Sequence, residues 1–178
     1  MERNRAHAAL RAATFDCHQR VDEIYSSAQL DDRVSYGNFL CAQAAALLPV
    51  EAALDQLGMA DLVEDWPERI RGQHLIRDMV ELGIAKPEPI ERPTLSSPPE
   101  MLGALYVLEG SRLGGKLLRR SVPSNFPTRF LAGESLESWA LFLMRLDQLI
   151  DNDAERSGAI DGAHAVFSVF EKSGRFYL

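Results

Sequence analysis

Two stretches of this chain carry residue types whose spacing could do chemistry. The first runs Leu10-Arg11-Ala12-Ala13-Thr14-Phe15-Asp16-Cys17-His18-Gln19-Arg20-Val21-Asp22. On a helix of 3.6 residues per turn, Arg11 and His18 lie about 20° from eclipsed, and Asp22 falls one turn beyond His18 on nearly the same face. A cation, an imidazole and a carboxylate then stand in a row. A neutral imidazole binds a metal through one ring nitrogen while the other donates to a carboxylate, the part Asp22 is placed to take. Cys17 points about 100° away and cannot share that site. The plainer reading is a surface or core histidine beside a solvated arginine.

The second stretch, Gly103-Ala104-Leu105-Tyr106-Val107-Leu108-Glu109-Gly110-Ser111-Arg112-Leu113-Gly114-Gly115-Lys116-Leu117-Leu118-Arg119-Arg120, is an apolar helical pattern with Gly110, Gly114 and Gly115 where helix formers belong. Each interior glycine costs about 1 kcal/mol relative to alanine, so together they cost about 3 kcal/mol. Gly110 and Gly114 share a face with Tyr106, which makes a continuous bare patch with an aromatic hydroxyl at one end, suited to something flat. The alternative is that the glycines admit a neighbouring helix or mark a frayed end.

The elements that must position these stretches are helical throughout; no alternation long enough for a strand occurs. Leu10, Ala13, Cys17 and Val21 define a first helix from about Ala6 to Ser26. Ser35 is the expected N-cap of a second helix carrying Phe39, Leu40, Ala44, Leu47, Leu48, Ala52 and Leu57, bent at Pro49. A third is expected from about Pro67 to Leu82, stopping at Gly83. Lys86 to Pro99 holds five of the nine prolines and reads as an extended connection to the glycine-bearing helix. After a turn-rich stretch with Pro123 and Pro127, two more helices are expected, about Ser135 to Asp151 and Asp153 to Lys172.

A chain of 178 residues suggests one domain, 1–178, large enough to bury a core and hold a ligand pocket. The net charge of −7 argues against nucleic-acid binding, since no basic stripe stands ready to neutralise phosphates. Cys17 and Cys41 fit neither a disulfide framework nor a zinc spacing, which points to a reducing compartment. No signal-peptide core and no run of about 18 apolar residues occurs, so the expectation is a cytoplasmic protein with no membrane partner.

The run Leu-Arg-Ala-Ala-Thr-x-x-x-His-x-x-x-Asp, followed about 90 residues later by Tyr-Val-Leu-Glu-Gly-Ser-x-Leu-Gly-Gly, resembles the heme oxygenases. It is most similar to the soluble bacterial type associated with biliverdin supply to bacteriophytochromes. The similarity continues through Tyr36-Gly37-Asn38-Phe39-Leu40, Leu48-Pro49-Val50-Glu51-Ala52-Ala53-Leu54 and Arg129-Phe130-Leu131…Trp139…Phe142-Leu143. It implies an all-α, single-domain helical bundle with a kinked, glycine-interrupted distal helix. The implied activity is cleavage of heme, both substrate and cofactor, to biliverdin, Fe(II) and CO with O2 and external electrons.

The resemblance further implies that His18 ligates the iron and that Arg11 and Tyr106 meet the propionates. Gly110 and Gly114 would leave room for O2 on the distal face, and Gly115 would help the helix bend over the macrocycle. Ser111 stands where many members of the family carry an aspartate that organises proton-delivering water. A serine can hold a water but not supply that charge, and Glu109 is the nearby substitute. Gly110, Ser111 and Gly114 are thus the candidate catalytic positions. Arg145 is a candidate propionate contact. Lys116, Arg119 and Arg120 either balance the helix dipole or form a docking patch for an electron donor, a ferredoxin-like protein or a flavin reductase. Two other readings compete: a heme-oxygenase-fold binding or regulatory protein without turnover, and a diiron oxidase or thiamin-related hydrolase on a related scaffold. With His7, His18, His74 and His164 the only histidines, and no Glu-x-x-His repeat, the diiron version is poorly supported.

Overall fold

The computed structural model of the chain describes residues 6–133 and 137–178, and among these every regular element is a helix. Their order is α1 (Ala6–Ser26), α2 (Arg33–Gln56), α3 (Met59–Leu62), α4 (Trp66–Arg69), α5 (Gly72–Glu81), α6 (Pro98–Leu118), a 3-10 turn (Arg119–Ser121), α7 (Arg129–Ala132), α8 (Trp139–Leu149) and α9 (Asp153–Tyr177). The opening helix has the limits its periodicity gives, although Ala13 is exposed.

α2 is the buried centre. Its N-cap is Asp32, whose carboxylate accepts from Ser35 N, rather than Ser35 itself; the Ser35 hydroxyl accepts from Gln29 N. Pro49 lies inside it, and Ala42, Ala44, Ala45, Ala46 and Leu47 are all buried, so it is covered all round. Among the described residues it is the one helix long and apolar enough to cross a membrane, and 67% of its most apolar window is buried inside the fold.

The helix expected over Pro67–Leu82 is two helices. The buried Glu51 carboxylate accepts from Arg71 N at 2.7 Å and Gly72 N at 3.0 Å, capping a fresh start at Gly72. α5 then ends as expected at Gly83, at φ 72°, with Gly83 N donating to Val80 O and Ile84 N to Met79 O. The proline-rich connection stops earlier than expected, because Pro98 and Pro99 are the first residues of α6, where their missing N–H groups cost nothing. Ser135 lies outside the described residues; α8 begins at Trp139, capped by the Ser138 hydroxyl.

α9 is the shared support of α1, α2 and α6. A side chain at Gly103 would run into the Ala159 main chain, and one at Gly162 into that of Glu100, so α6 and α9 meet backbone to backbone. On the α1 side, Gly174 lies against Ile24 and Tyr25, and the Tyr25 hydroxyl donates to Phe170 O at 3.2 Å. α8 packs on both α1 and α6, its Asp147 accepting from both His7 N and the His7 ring.

Candidate functional site

On the outer face of α1, His18 and Asp22 are 63% and 66% exposed, with Nδ1 of the imidazole 2.9 Å from Oδ2 of the carboxylate. The ring edge also meets Phe167 of α9, centroids 6.0 Å apart at 72°. His18 is therefore oriented from two sides, and Nε2 makes no hydrogen bond among the described residues. A nitrogen held open, with its partner nitrogen tied to a carboxylate, is the arrangement a metal ligand requires. No cluster of three metal-ligating residues occurs among the described residues, so any metal here would be one brought with its own ligand frame.

Arg11 lines a cavity along the same helix with His7, Ala8, Ala12 and Phe15. Burial pushes the Tyr106 phenol on α6 above its ordinary range and the Arg11 charge opposes that rise, so this end of α1 lies within electrostatic reach of α6.

The four glycines of α6, Gly103, Gly110, Gly114 and Gly115, divide by direction, although the helix runs through all of them. A Cβ on Gly114 would meet nothing within 4 Å, and one on Gly110 would meet only Trp139 Cη2 at 3.8 Å. Among the described residues Gly114 is thus bare beyond its own helix, and Gly110 nearly so. Gly115 is buried, and a Cβ there would touch Leu131 of α7 at 3.5 Å, so it serves the contact between α6 and α7 and does not present backbone to a ligand. The close-packing explanation for glycine in this helix thus belongs to Gly103 and Gly115. Leu113 and Leu117 continue the bare face, and with Phe15, Leu141 and Met144 they are large apolar side chains left exposed.

Behind α6 lies a buried ionic layer that the sequence gives no means of seeing. Arg71, 4% exposed, donates through Nη2 to the Ser111 hydroxyl at 2.7 Å and to Leu108 O at 3.0 Å, while the Ser111 hydroxyl itself donates to Leu108 O at 2.8 Å. Burial, with the neighbouring Arg112 charge, pulls the Arg71 guanidinium down to about 10. Glu109 turns away from the cleft into this layer, 3.3 Å from Arg112 and 3.4 Å from Arg69, so it cannot substitute for the missing distal aspartate. Arg145 is likewise committed, 3.3 Å from Asp65 and 3.7 Å from Glu137, rather than offered to a propionate. Lys116, Arg119 and Arg120 are exposed at the end of α6; the two arginines make no ion pair among the described residues.

Phe167, Arg71 and Trp139 are the site neighbours that spacing did not single out. Trp139 alone carried a signal, as one of the residues on which the family resemblance rests.

Read as the two walls of one cleft, α1 offers an open imidazole nitrogen and an exposed arginine, and α6 offers bare helix backbone, exposed apolar side chains and a phenol within electrostatic reach of that arginine. That set fits a flat, apolar, metal-bearing macrocycle with carboxylates on one edge.

Comparison with known proteins agrees. The family model described as heme oxygenase matches residues 4–174. A protein named heme oxygenase from Xanthomonas campestris is 34% identical over 115 residues, 59% of this chain and 67% of its own length. Heme oxygenase PigA of Pseudomonas aeruginosa is 29% identical over 172 residues, 90% of this chain and 87% of its own. The fold matches the NO- and CO-bound heme oxygenase of Neisseria meningitidis with a TM-score of 0.83 at 22% identity, over 98% of this chain and 92% of that one. It matches the heme oxygenase of Leptospira interrogans with a TM-score of 0.72 at 17% identity, over 95% and 98%.

Proposed function

The chain belongs to the heme oxygenase family, and we propose on that premise how its own residues perform the family's reaction. It is a heme-degrading oxidoreductase: heme is substrate and prosthetic group together, O2 is the oxidant, and biliverdin, iron and CO are the products. Bound heme supplies the iron at which O2 is reduced and the porphyrin carbon that is oxidised.

In our reading His18 ligates through Nε2, with Asp22 and Phe167 fixing the ring. Asp22 holds the proton on Nδ1, which keeps the ligating nitrogen deprotonated and strengthens it as a donor. Arg11 and the Tyr106 hydroxyl take the carboxylates of the substrate, a charge-assisted contact at the cleft's polar end. Gly110 and Gly114 would present main chain, and no acid or base, to the bound substrate, leaving room for O2 while limiting the directions open to it.

Ser111 has spent its one hydrogen on Leu108 O and one lone pair on Arg71, so it can only accept from a water. A water held there points its second hydrogen elsewhere, and the buried Arg71 cation behind Ser111 raises that water's acidity. This pair does the work that a distal aspartate does in other members of the family. Electrons come from outside, and Arg119 and Arg120, with Lys116, form the patch we assign to an acidic donor of the ferredoxin or flavin-reductase kind. The unpaired thiols Cys17 and Cys41 suit a cytoplasmic setting, where such donors are found.

The observations that carry this reading are the open Nε2 of His18 on α1 and the bare Gly110 and Gly114 on α6, which we place on the two sides of one bound heme. Hemin titration tests it. The expected result is a stoichiometric Soret band that is lost or altered in His18→Ala, and that decays to a biliverdin spectrum when a reductant is added under O2. Stoichiometric binding without decay would instead establish a heme-binding protein with no turnover.

A further inference from the structure

The bare strip of α6 is not symmetrical. Among the described residues, and leaving aside the helix's own backbone, no atom stands within 4 Å of where a side chain would begin at Gly114, whereas at Gly110 the tip of the Trp139 indole, Cη2, stands 3.8 Å away and is the one such atom in that range. Trp139 is half-buried, and its ring is held from both sides. It stacks on the buried Phe142 one turn further along α8, centroids 5.4 Å apart at 28°, and leans on Tyr106 at 5.7 Å and 38°. A wide, flat side chain clamped between two aromatics has no free rotamer to give way with. The cleft therefore has a fixed stop at one end of its glycine strip and none at the other.

We propose that Trp139 is the specificity-determining side chain of this enzyme: its indole edge fixes how the porphyrin is rotated in its own plane over Gly110 and Gly114, and so selects which meso carbon is oxidised. The inference rests on the reading of the cleft as the heme site. A porphyrin is nearly fourfold symmetric, so imidazole ligation and a bare glycine ceiling accept any in-plane rotation. Discrimination has to come from the rim, where methyl, vinyl and propionate groups differ. Arg11 and Tyr106 read the carboxylates, but each carboxylate hangs on a flexible chain that tolerates more than one seating. A rigid edge beside Gly110 does not. Because Trp139 packs on Tyr106, the steric stop and one carboxylate contact are parts of a single aromatic unit.

The test compares Trp139→Leu and Trp139→Phe with the wild-type chain, using hemin as the probe. Rejection of a wrong rim group by an apolar wall is worth on the order of 10-fold in discrimination, so Trp139→Leu should raise the minor biliverdin isomers about 10-fold on chromatography of the product. Trp139→Phe, which keeps a flat wall, should hold nearer to the wild-type pattern. The ferric complex, without turnover, should show an altered Soret circular dichroism in Trp139→Leu while its Soret absorbance still reports His18 ligation. Should Trp139→Leu fail to fold, Trp139→Met decides on the same measurements. A folded variant that binds hemin with unchanged Soret dichroism and isomer pattern would overturn the proposal and leave the heme reading intact. Failure of the wild-type chain to bind hemin would instead overturn the heme reading, and this inference with it.

Discussion

Nδ1 of His18 and Oδ2 of Asp22 stand 2.9 Å apart on successive turns of α1, although both side chains are mostly exposed. That contact sets the tautomer of the imidazole. Partners of this kind are commonly worth 10- to 100-fold in metal affinity. Asp22→Ala should weaken hemin binding about 10-fold and raise the ferric–ferrous midpoint potential, because the imidazole donates less charge once its carboxylate is gone. Titration and spectroelectrochemistry read both effects. Wild-type values in Asp22→Ala would assign orientation of the ring to Phe167 alone.

Gly114 and Gly103 lie in the same helix and should respond oppositely to alanine. Gly114 opens on empty space, so Gly114→Ala should stabilise the heme-free chain by up to about 1 kcal/mol while slowing heme loss under reductant and O2. Gly103 abuts the main chain of Ala159, so Gly103→Ala forces α6 and α9 apart and should cost about 1–3 kcal/mol or more. Denaturant unfolding of the two variants checks the contrast; equal stability changes would contradict the packing described for α6.

Asp65 gives the fold an acid-sensitive joint. Burial pushes its carboxyl up, but hydrogen bonding and charge from Arg69 and then Arg145 outweigh this and hold it below the ordinary aspartate range. A carboxyl depressed in the folded state adds stability that is present above its unfolded pKa and is lost as pH falls through the folded value. The melting temperature of the wild-type chain should therefore fall across the region from the normal aspartate range downward. Asp65→Asn should be less stable at neutral pH and flatter over that acid region. An identical pH profile in both proteins would remove Asp65 from the acid response.

Arg119 and Arg120 offer a clean separation of chemistry from electron delivery. Charge reversal at both, Arg119→Glu with Arg120→Glu, should slow turnover driven by an acidic protein donor several-fold, with much of the difference vanishing at high salt. Turnover driven by a small reductant such as ascorbate should be unaffected. Equal slowing with both reductants would place the defect in the active site and not in docking.

The helices that carry the chemistry were legible because each displays one apolar stripe and a distinct terminus. α1 has the limits its periodicity gives, and α5 stops where Gly83 adopts its left-handed conformation. The break between α4 and α5 was hidden because its cause, the Glu51 carboxylate, comes from another helix. The site divides the same way. His18 with Asp22 in α1, and Gly110 with Gly114 in α6, stand out as candidates by spacing within a helix, whereas Arg71 and Trp139 come beside Ser111 and Gly110 only through packing between helices. Gly115 misled because it directly follows Gly114, and sequence does not say which of two adjacent glycines faces outward.

The joints on α9 constrain how this enzyme can diverge. Where Gly103 meets Ala159, Gly162 meets Glu100 and Gly174 meets Tyr25, the span between the two jaws is fixed by contacts that have nothing to do with the residues lining it. The lining is consequently free to be rewritten for a different donor or a different cleavage position. A bulkier residue at any of those three joints would change the gauge of the jaw itself, and with it the thickness of molecule the enzyme can grip.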